Sequence, residues 1–213
     1  MQSGTDSKNL DDWINWQYLE KAMIEKLHKQ FGKAMPFPHL VMPGFFKEAQ
    51  SIKVLQALGK EEFFPKEADL FKFMQTNDLA GTENDVLVAL RSFIKSKQFV
   101  DYVRTLTGLK LKSGVVDMHG TLYADTDFLL CHDDQLEGRK IAFMYYLSTL
   151  GPKDGGSLNL LASKDGVPTG MVKNIVPHFN TLAIFEVSPV SFHEVEEVVA
   201  KKNRIAIGGW LHG

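Results

Sequence analysis

Cysteine is almost missing from this chain: Cys131 is the single one in 213 residues. That excludes an internal disulfide framework and fits a reducing compartment. The opening MQSGTDSKNLDDW has no apolar h-region, so no secretory signal is read there. No uncharged apolar run reaches membrane-spanning length, and no membrane partner is expected. Positive charge is not in excess either. With a net charge of −2, nothing suggests a general affinity for phosphates, and no direct nucleic-acid binding is expected. Internal repeats and low-complexity segments are also lacking. These absences together place the expected location in the cytoplasm, the nucleus or both.

What is present reads as an ordinary globular composition, 44% hydrophobic and 23% charged. The first 14 residues are expected to be flexible and residues 15–213 to form one domain. About 15–108 should be mainly helical and 109–213 mainly strands. From Asn15 to Phe31, the residues Leu19, Met23, Ile24, Leu27 and Phe31 recur at helical spacing. Pro36 and Pro38 stop that helix, and HLVMPGFF reads as a short edge strand and turn. Further helices are expected from Phe46 to Leu58, from Asp85 to Ile94, and from a Ser96 cap to Gly108. A loop rich in Phe, Lys and Asp separates the second helix from the third. Beyond Leu109 the period changes to about eight short strands divided by turn signals. The expected fold is therefore α+β dominated by β. It is a double-stranded β-helix, a cupin-like jelly roll, with the N-terminal helices packed on one sheet. IAFMYYL is apolar at both alternate sets of positions, as a strand buried on both faces should be.

Three features carry chemistry. In FLLCHDD, residues i and i+2 of a strand share a face, which groups Phe128, Leu130, His132 and Asp134. Alone, such a pair is usually a solvated strand end. In an apolar barrel, a histidine and a carboxylate need a partner or a metal. His193 in SFHEV would complete a set of two imidazoles and one carboxylate, the facial triad of non-haem Fe(II) oxygenases. In RIAIGGW, Arg204, Ala206, Gly208 and Trp210 share a face, and the guanidinium can grip a carboxylate with two parallel hydrogen bonds. Tyr146 shares its face with Ala142 and Met144, and a buried phenol must find a partner. The order His-x-Asp, His, Arg reads as a 2-oxoglutarate-dependent dioxygenase. The chain stops directly after an apolar run at Trp210-Leu211-His212-Gly213, which suggests a domain of a longer protein.

The strings YADTDFLLCHDDQLEGRKIAFMYYL, GGSLNLL, IFEVSPVSFHEV, RIAIGGWLHG and PFPHLVMPGFF resemble one family of 2-oxoglutarate and Fe(II) dioxygenases. It is the family of prolyl hydroxylases that act on a decoding-centre protein of the small ribosomal subunit. The resemblance covers about residues 15 to 213. It implies that His132, Asp134 and His193 bind Fe(II), and that Tyr146 and Arg204 bind the far carboxylate of 2-oxoglutarate. It also implies that Tyr123 and Trp210 line the pocket. The implied reaction uses dioxygen, with ascorbate as a supporting reductant, and yields succinate, carbon dioxide and a hydroxylated prolyl residue. The implied partner is a small-subunit ribosomal protein. Members of the family carry a second, degenerate jelly-roll domain after the catalytic one, and this chain ends before it.

A basic peptide is expected to enter near Tyr123, Asp125 and Asp127. An oxygen-sensing type of prolyl hydroxylase and a nucleic-acid-repair oxygenase on the same scaffold stay as alternatives. So does a non-catalytic jelly roll, which predicts a missing ligand or arginine. Collagen-type hydroxylation is disfavoured by the single cysteine and the lack of a signal. His39, His119, His178 and His212 have no metal-ligand spacing to one another, and Cys131 is expected to be a buried small hydrophobe.

Overall fold

The computed structural model describes residues 9–213. Its helices are α1 (Leu10–Trp13), α2 (Lys21–Lys33), α3 (Glu48–Leu58), α4 (Asp85–Ile94) and α5 (Lys97–Thr107). Its strands are β1 (His39–Pro43), β2 (Phe64–Ala68), β3 (Phe71–Gln75), β4 (Val116–Tyr123), β5 (Phe128–His132) and β6 (Arg139–Tyr146). They continue as β7 (Leu158–Lys164), β8 (Val167–Ile175), β9 (Thr181–Glu186), β10 (His193–Val195) and β11 (Arg204–His212). None of the described helices is long and apolar enough to cross a membrane.

All strand pairs are antiparallel, in the order β1-β9-β6-β11-β4-β3-β5-β10-β7-β8, with β2 on β3. Strand β3 pairs with β4 through Met74 and Gln75, and with β5 through Phe71 and Lys72. It thereby joins a five-stranded face to a four-stranded one, and the two curl around a common interior as a jelly roll.

Side-chain parity on β6 shows how the layers are filled. Ile141, Phe143 and Tyr145 point outward into a cluster with Leu27, Val54, Leu90, Phe93 and Val103 of the helices. Ala142 and Tyr146 point inward with Leu158, Leu160, Phe185 and Ala206. The helices thus cover the outer face of the five-stranded sheet, as the doubly apolar IAFMYYL requires. Strand β1 pairs with β9 alone and is an edge strand, as expected. The caps also fall where the sequence put them. Ser96 Oγ accepts from Phe99 N–H, and Gly108 closes α5 in the left-handed region that favours glycine.

Three expectations need correction. Residues 1–8 of the expected flexible segment lie outside the described residues. The rest of it is built in: Trp13 stacks on Phe93, and Ile14 is fully buried. The expected helix from Asn15 is a short 3-10 turn, Trp16–Tyr18, before α2 begins at Lys21. Ile14 bridges Phe46, and Asn15 N–H donates to Phe45 O, so this backbone is committed to its neighbour and not to a helix. The expected loop after α3 is the hairpin β2–β3, whose Lys- and Glu-bearing outer strand hides the alternation of Phe71, Phe73 and Gln75.

Asn180 ties these layers together. It sits at φ 58°, with its side-chain oxygen accepting from Phe46 N–H at 3.1 Å and its amide donating to Phe46 O at 2.7 Å. Asn180→Ala would leave both buried groups unpaired and place alanine in the left-handed region. We expect a loss of about 2–4 kcal/mol in urea unfolding. A loss below about 1 kcal/mol would show that Phe46 finds other partners.

Candidate active site

The interior holds a cavity of about 450 Å³. Parity sets its walls. Asp117, His119, Thr121 and Tyr123 face it from β4, Ala142 and Met144 from β6, and Gly208 and Trp210 from β11. The end at His132 and Asp117 is open, with those side chains 31% and 42% exposed, whereas the Tyr123 and Arg204 end is sealed.

His132 and His193 come together as cross-strand partners on β5 and β10. Leu129 is opposite Val195, so β5 carries one more residue than β10 between these pairs. That bulge reverses parity within the strand. Leu129 therefore lines the cavity with His132, whereas Leu130, expected on the ligand face, is exposed. Cys131 is half-buried and not buried as expected. Asp134 lies just beyond β5 at φ 61°, which turns its carboxylate back towards the histidines. Its Oδ1 is 3.5 Å from His132 Nε2, and its Oδ2 is 3.4 Å from His193 Nε2. Asp133 points elsewhere, accepting from Gln135.

These three groups present ligand atoms all within 4.8 Å of one another. Each imidazole holds its Nδ1 at 2.8 Å from the carbonyl two residues before it, Leu130 O and Ser191 O. With Nδ1–H donating, both Nε2 lone pairs face the common point. Burial, reinforced by His193, lowers the His132 pKa and favours the neutral, ligating form. In the metal-free site, burial alone would raise Asp134, but protons carried by the facing His193 and His132, which a bound metal would displace, together with the Trp210 indole N–H, outweigh it and hold the carboxyl at about 2. Two neutral nitrogen donors and one carboxylate on one side of a point fit a divalent metal with open positions.

Arg204 is completely buried, and none of its three guanidinium nitrogens has a hydrogen-bond partner among the described residues. The Tyr146 hydroxyl and Thr181 Oγ1 are buried and unpartnered too. Tyr146 stands opposite Thr181 on β9 and Ala206 on β11. The Arg204 guanidinium carbon lies 4.9 Å from the Tyr123 ring centroid and 5.2 Å from that of Tyr146. Gly156, at φ 71°, closes over it, where a Cβ would sit 3.3 Å from Arg204 Cδ. A buried cation with orphaned donors is costly unless an anion completes it. A carboxylate held by Arg204, Tyr146 and Thr181 satisfies all three, so the far end of a dicarboxylate such as 2-oxoglutarate fits.

Tyr123 lines the cavity, stacked on Phe73 at 4.8 Å, and Trp210 lines it as well. Asp125 and Asp127 do not. Asp127 is buried, accepts from Ala124 N–H and lies 3.7 Å from Lys72 Nζ, which staples the β4–β5 turn. The turn sits at the sealed end, so the expected acidic rim is displaced. The acids at the open end are Asp117, 3.9 Å from Arg139, and Asp78, 3.9 Å from Arg91. His119, set aside in the sequence, faces the cavity with burial holding its pKa down to about 4. Continuing the alternation back from Tyr123 would have found Asp117, His119 and Thr121. The same parity along TLAIFE pairs Thr181 with inward Ala183 and Phe185. Asp78 and Arg139 give no such signal, because they reach the cavity from outside that alternation.

Residues 118–212 match the 2OG-Fe(II) oxygenase superfamily. The chain is 41% identical over 192 residues to a prolyl 3-hydroxylase, OGFOD1, of Xenopus laevis, covering 86% of this chain and 37% of that protein. It is 38% identical over 197 residues to the prolyl 3,4-dihydroxylase OGFOD1 of Ostreococcus tauri, covering 83% and 38%. The chain thus spans 37% to 38% of the length of these curated relatives. Among solved structures, a prolyl hydroxylase from Trichoplax adhaerens, in complex with a hypoxia inducible factor peptide, is similar in fold. Its TM-score is 0.72 at 17% identity, covering 93% of each chain. A Pseudomonas putida prolyl-4-hydroxylase gives 0.68 at 18% identity, covering 89% of this chain and 98% of that one. Residues 118–212, braced by the helices and hairpin before them, therefore form a jelly-roll domain of the 2OG-Fe(II) oxygenase superfamily.

Proposed function

We propose that this domain catalyses 2-oxoglutarate- and Fe(II)-dependent hydroxylation of a prolyl residue in a protein, and that the protein is a small-subunit ribosomal protein. The observation that carries the chemistry is the pairing of two incomplete sites in one barrel. His132, Asp134 and His193 would hold Fe(II), and the orphaned donors of Arg204, Tyr146 and Thr181 would hold the far carboxylate of 2-oxoglutarate. Bound Fe(II) supplies dioxygen activation, coupled to decarboxylation of 2-oxoglutarate to succinate. The chain's own part is geometric. The two backbone carbonyls fix the imidazole tautomers, and the sealed end of the barrel excludes water from the carboxylate grip. Towards the open end, Trp210 offers an aromatic wall for a compact apolar ring, and proline presents one at low entropic cost because its φ is fixed. The names of the curated relatives support the prolyl class, and the long-string resemblance supports the ribosomal substrate. Such a substrate would be met in the cytoplasm or nucleus, with residues 15–213 acting as the catalytic domain.

The test is mass spectrometry of ribosomal peptides incubated with the protein, Fe(II) and 2-oxoglutarate. A gain of one oxygen, lost when the target proline becomes alanine, is expected. Modification of an oligonucleotide with no product on any prolyl peptide would overturn the reading. The co-substrate grip makes a separate prediction. Burial pushes the Tyr146 phenol up, so it remains a protonated donor. Tyr146→Phe should weaken 2-oxoglutarate by about tenfold, the worth of one hydrogen bond to a charged group. Unchanged affinity by calorimetry would remove Tyr146 from the grip.

A further inference from the structure

Trp210 belongs to the cavity wall, yet its one polar atom points at the metal-site carboxylate and not at open space. The indole Nε1–H donates to Asp134 Oδ2 at 3.1 Å. The ring is itself held. The Arg139 guanidinium carbon lies 3.3 Å from its centroid, and the His119 ring centre is 5.5 Å away. Arg139 also reaches the backbone carbonyl of Asp134 at 3.5 Å. Asp134 needs such support more than the histidines do. His132 and His193 are fixed by strand pairing and by their own carbonyl contacts. Asp134 lies past the end of β5 in the left-handed region, where no sheet register aims its side chain.

We infer that Trp210 is a positioning residue for Asp134, its indole N–H holding one carboxylate oxygen so that the other is presented to the metal. The inference rests on the metal reading above. Oδ2 accepts the indole proton and also lies 3.4 Å from His193 Nε2, whereas Oδ1 lies 3.5 Å from His132 Nε2 and makes no contact with the indole. A carboxylate tethered in this way is biased towards binding through one oxygen, which preserves open positions beside it. Arg139 adds to the effect from the other side of the indole, because cation–π attraction keeps the ring where its N–H can reach.

The experiment measures metal affinity without any peptide, so that a role for Trp210 in substrate binding cannot enter. Co(II) is titrated into the metal-free protein and followed by its visible absorption, with anaerobic Fe(II) as a second probe. Trp210→Phe keeps a ring beneath Arg139 and lacks the donor. It should bind Co(II) about tenfold to a hundredfold more weakly, the range for outer partners of metal ligands. Replacing Trp210 with benzothienylalanine preserves the bicyclic shape and deletes only the N–H, and should lose affinity to a similar degree. Circular dichroism melting of the metal-free proteins separates this from misfolding. Affinity equal to wild type in the benzothienylalanine protein overturns the inference. Failure of the wild type itself to bind Co(II) or Fe(II) overturns the metal reading instead.

Discussion

Asp134→Asn is expected to abolish Fe(II)-dependent 2-oxoglutarate turnover while the protein stays folded. The substitution keeps the side-chain shape and a residue type that tolerates the left-handed backbone of this position. It removes the single negative charge that the two imidazoles face at 3.4 and 3.5 Å. Without that charge, two neutral nitrogens remain, and a hard divalent ion is held by too little. Metal affinity should fall by at least about a hundredfold, more than the loss typical of an outer-shell change. Asp134→Ala and His193→Ala should be equally inactive. Ala at position 134 adds a stability cost of about 1–2 kcal/mol for its φ, so Asn is the cleaner variant. Asp133→Asn is the control. Its carboxylate is spent on Gln135, so turnover should stay near that of wild type. Full activity in Asp134→Asn, or inactivity confined to Asp133→Asn, would dismiss the triad.

The contrast between these neighbouring aspartates shows what the sequence could and could not tell. Period-two alternation was enough to put Arg204, Gly208 and Trp210 on one face of β11 and Tyr146 on the inner face of β6. Those strands pair without interruption across the site. The same rule put Leu130 beside His132 and failed, because the extra residue in β5 is a property of its pairing with β10. Nothing local in FLLCHDD announces it. Asp134 was grouped with His132 for a reason that does not hold in the structure. Its carboxylate returns to the cavity through a left-handed turn and not through the pleat.

Helix ends were legible where a side chain makes the cap, as at Ser96, and illegible where distant backbone decides. Asn15 is held out of a helix by Phe45, thirty positions along the chain. The hairpin β2–β3 was hidden because its outer strand faces solvent on nearly every residue. Acidic residues were the least legible of all. Asp127 and Asp117 look alike in sequence, yet one staples a turn and the other lines the cavity.

Arg204→Leu should move stability and function in opposite directions. The guanidinium is fully buried, and its three nitrogens have no hydrogen-bond partner among the described residues, as is true of the neighbouring hydroxyls of Tyr146 and Thr181. Arginine stays charged, so this is a buried cation with no anionic partner among the described residues, offset by its contact with the faces of Tyr123 and Tyr146 and by its approach to the Tyr146 hydroxyl. Replacing such a group with an apolar side chain is often neutral or stabilising by about 1–4 kcal/mol. The metal-free, ligand-free variant should therefore melt at or above the wild-type temperature. Wild type should gain stability as 2-oxoglutarate is added, since a ligand that binds the folded state raises its melting point. Arg204→Leu should show no such gain and no turnover. Arg204→Lys is the intermediate case. It keeps the charge but loses the planar fork, so it should bind 2-oxoglutarate more weakly than wild type and more tightly than leucine. Differential scanning fluorimetry across a 2-oxoglutarate series reads all three proteins at once. An Arg204→Leu protein that melts well below wild type without ligand would show that the guanidinium is structurally satisfied. The argument that it is kept for an anionic co-substrate would then fail.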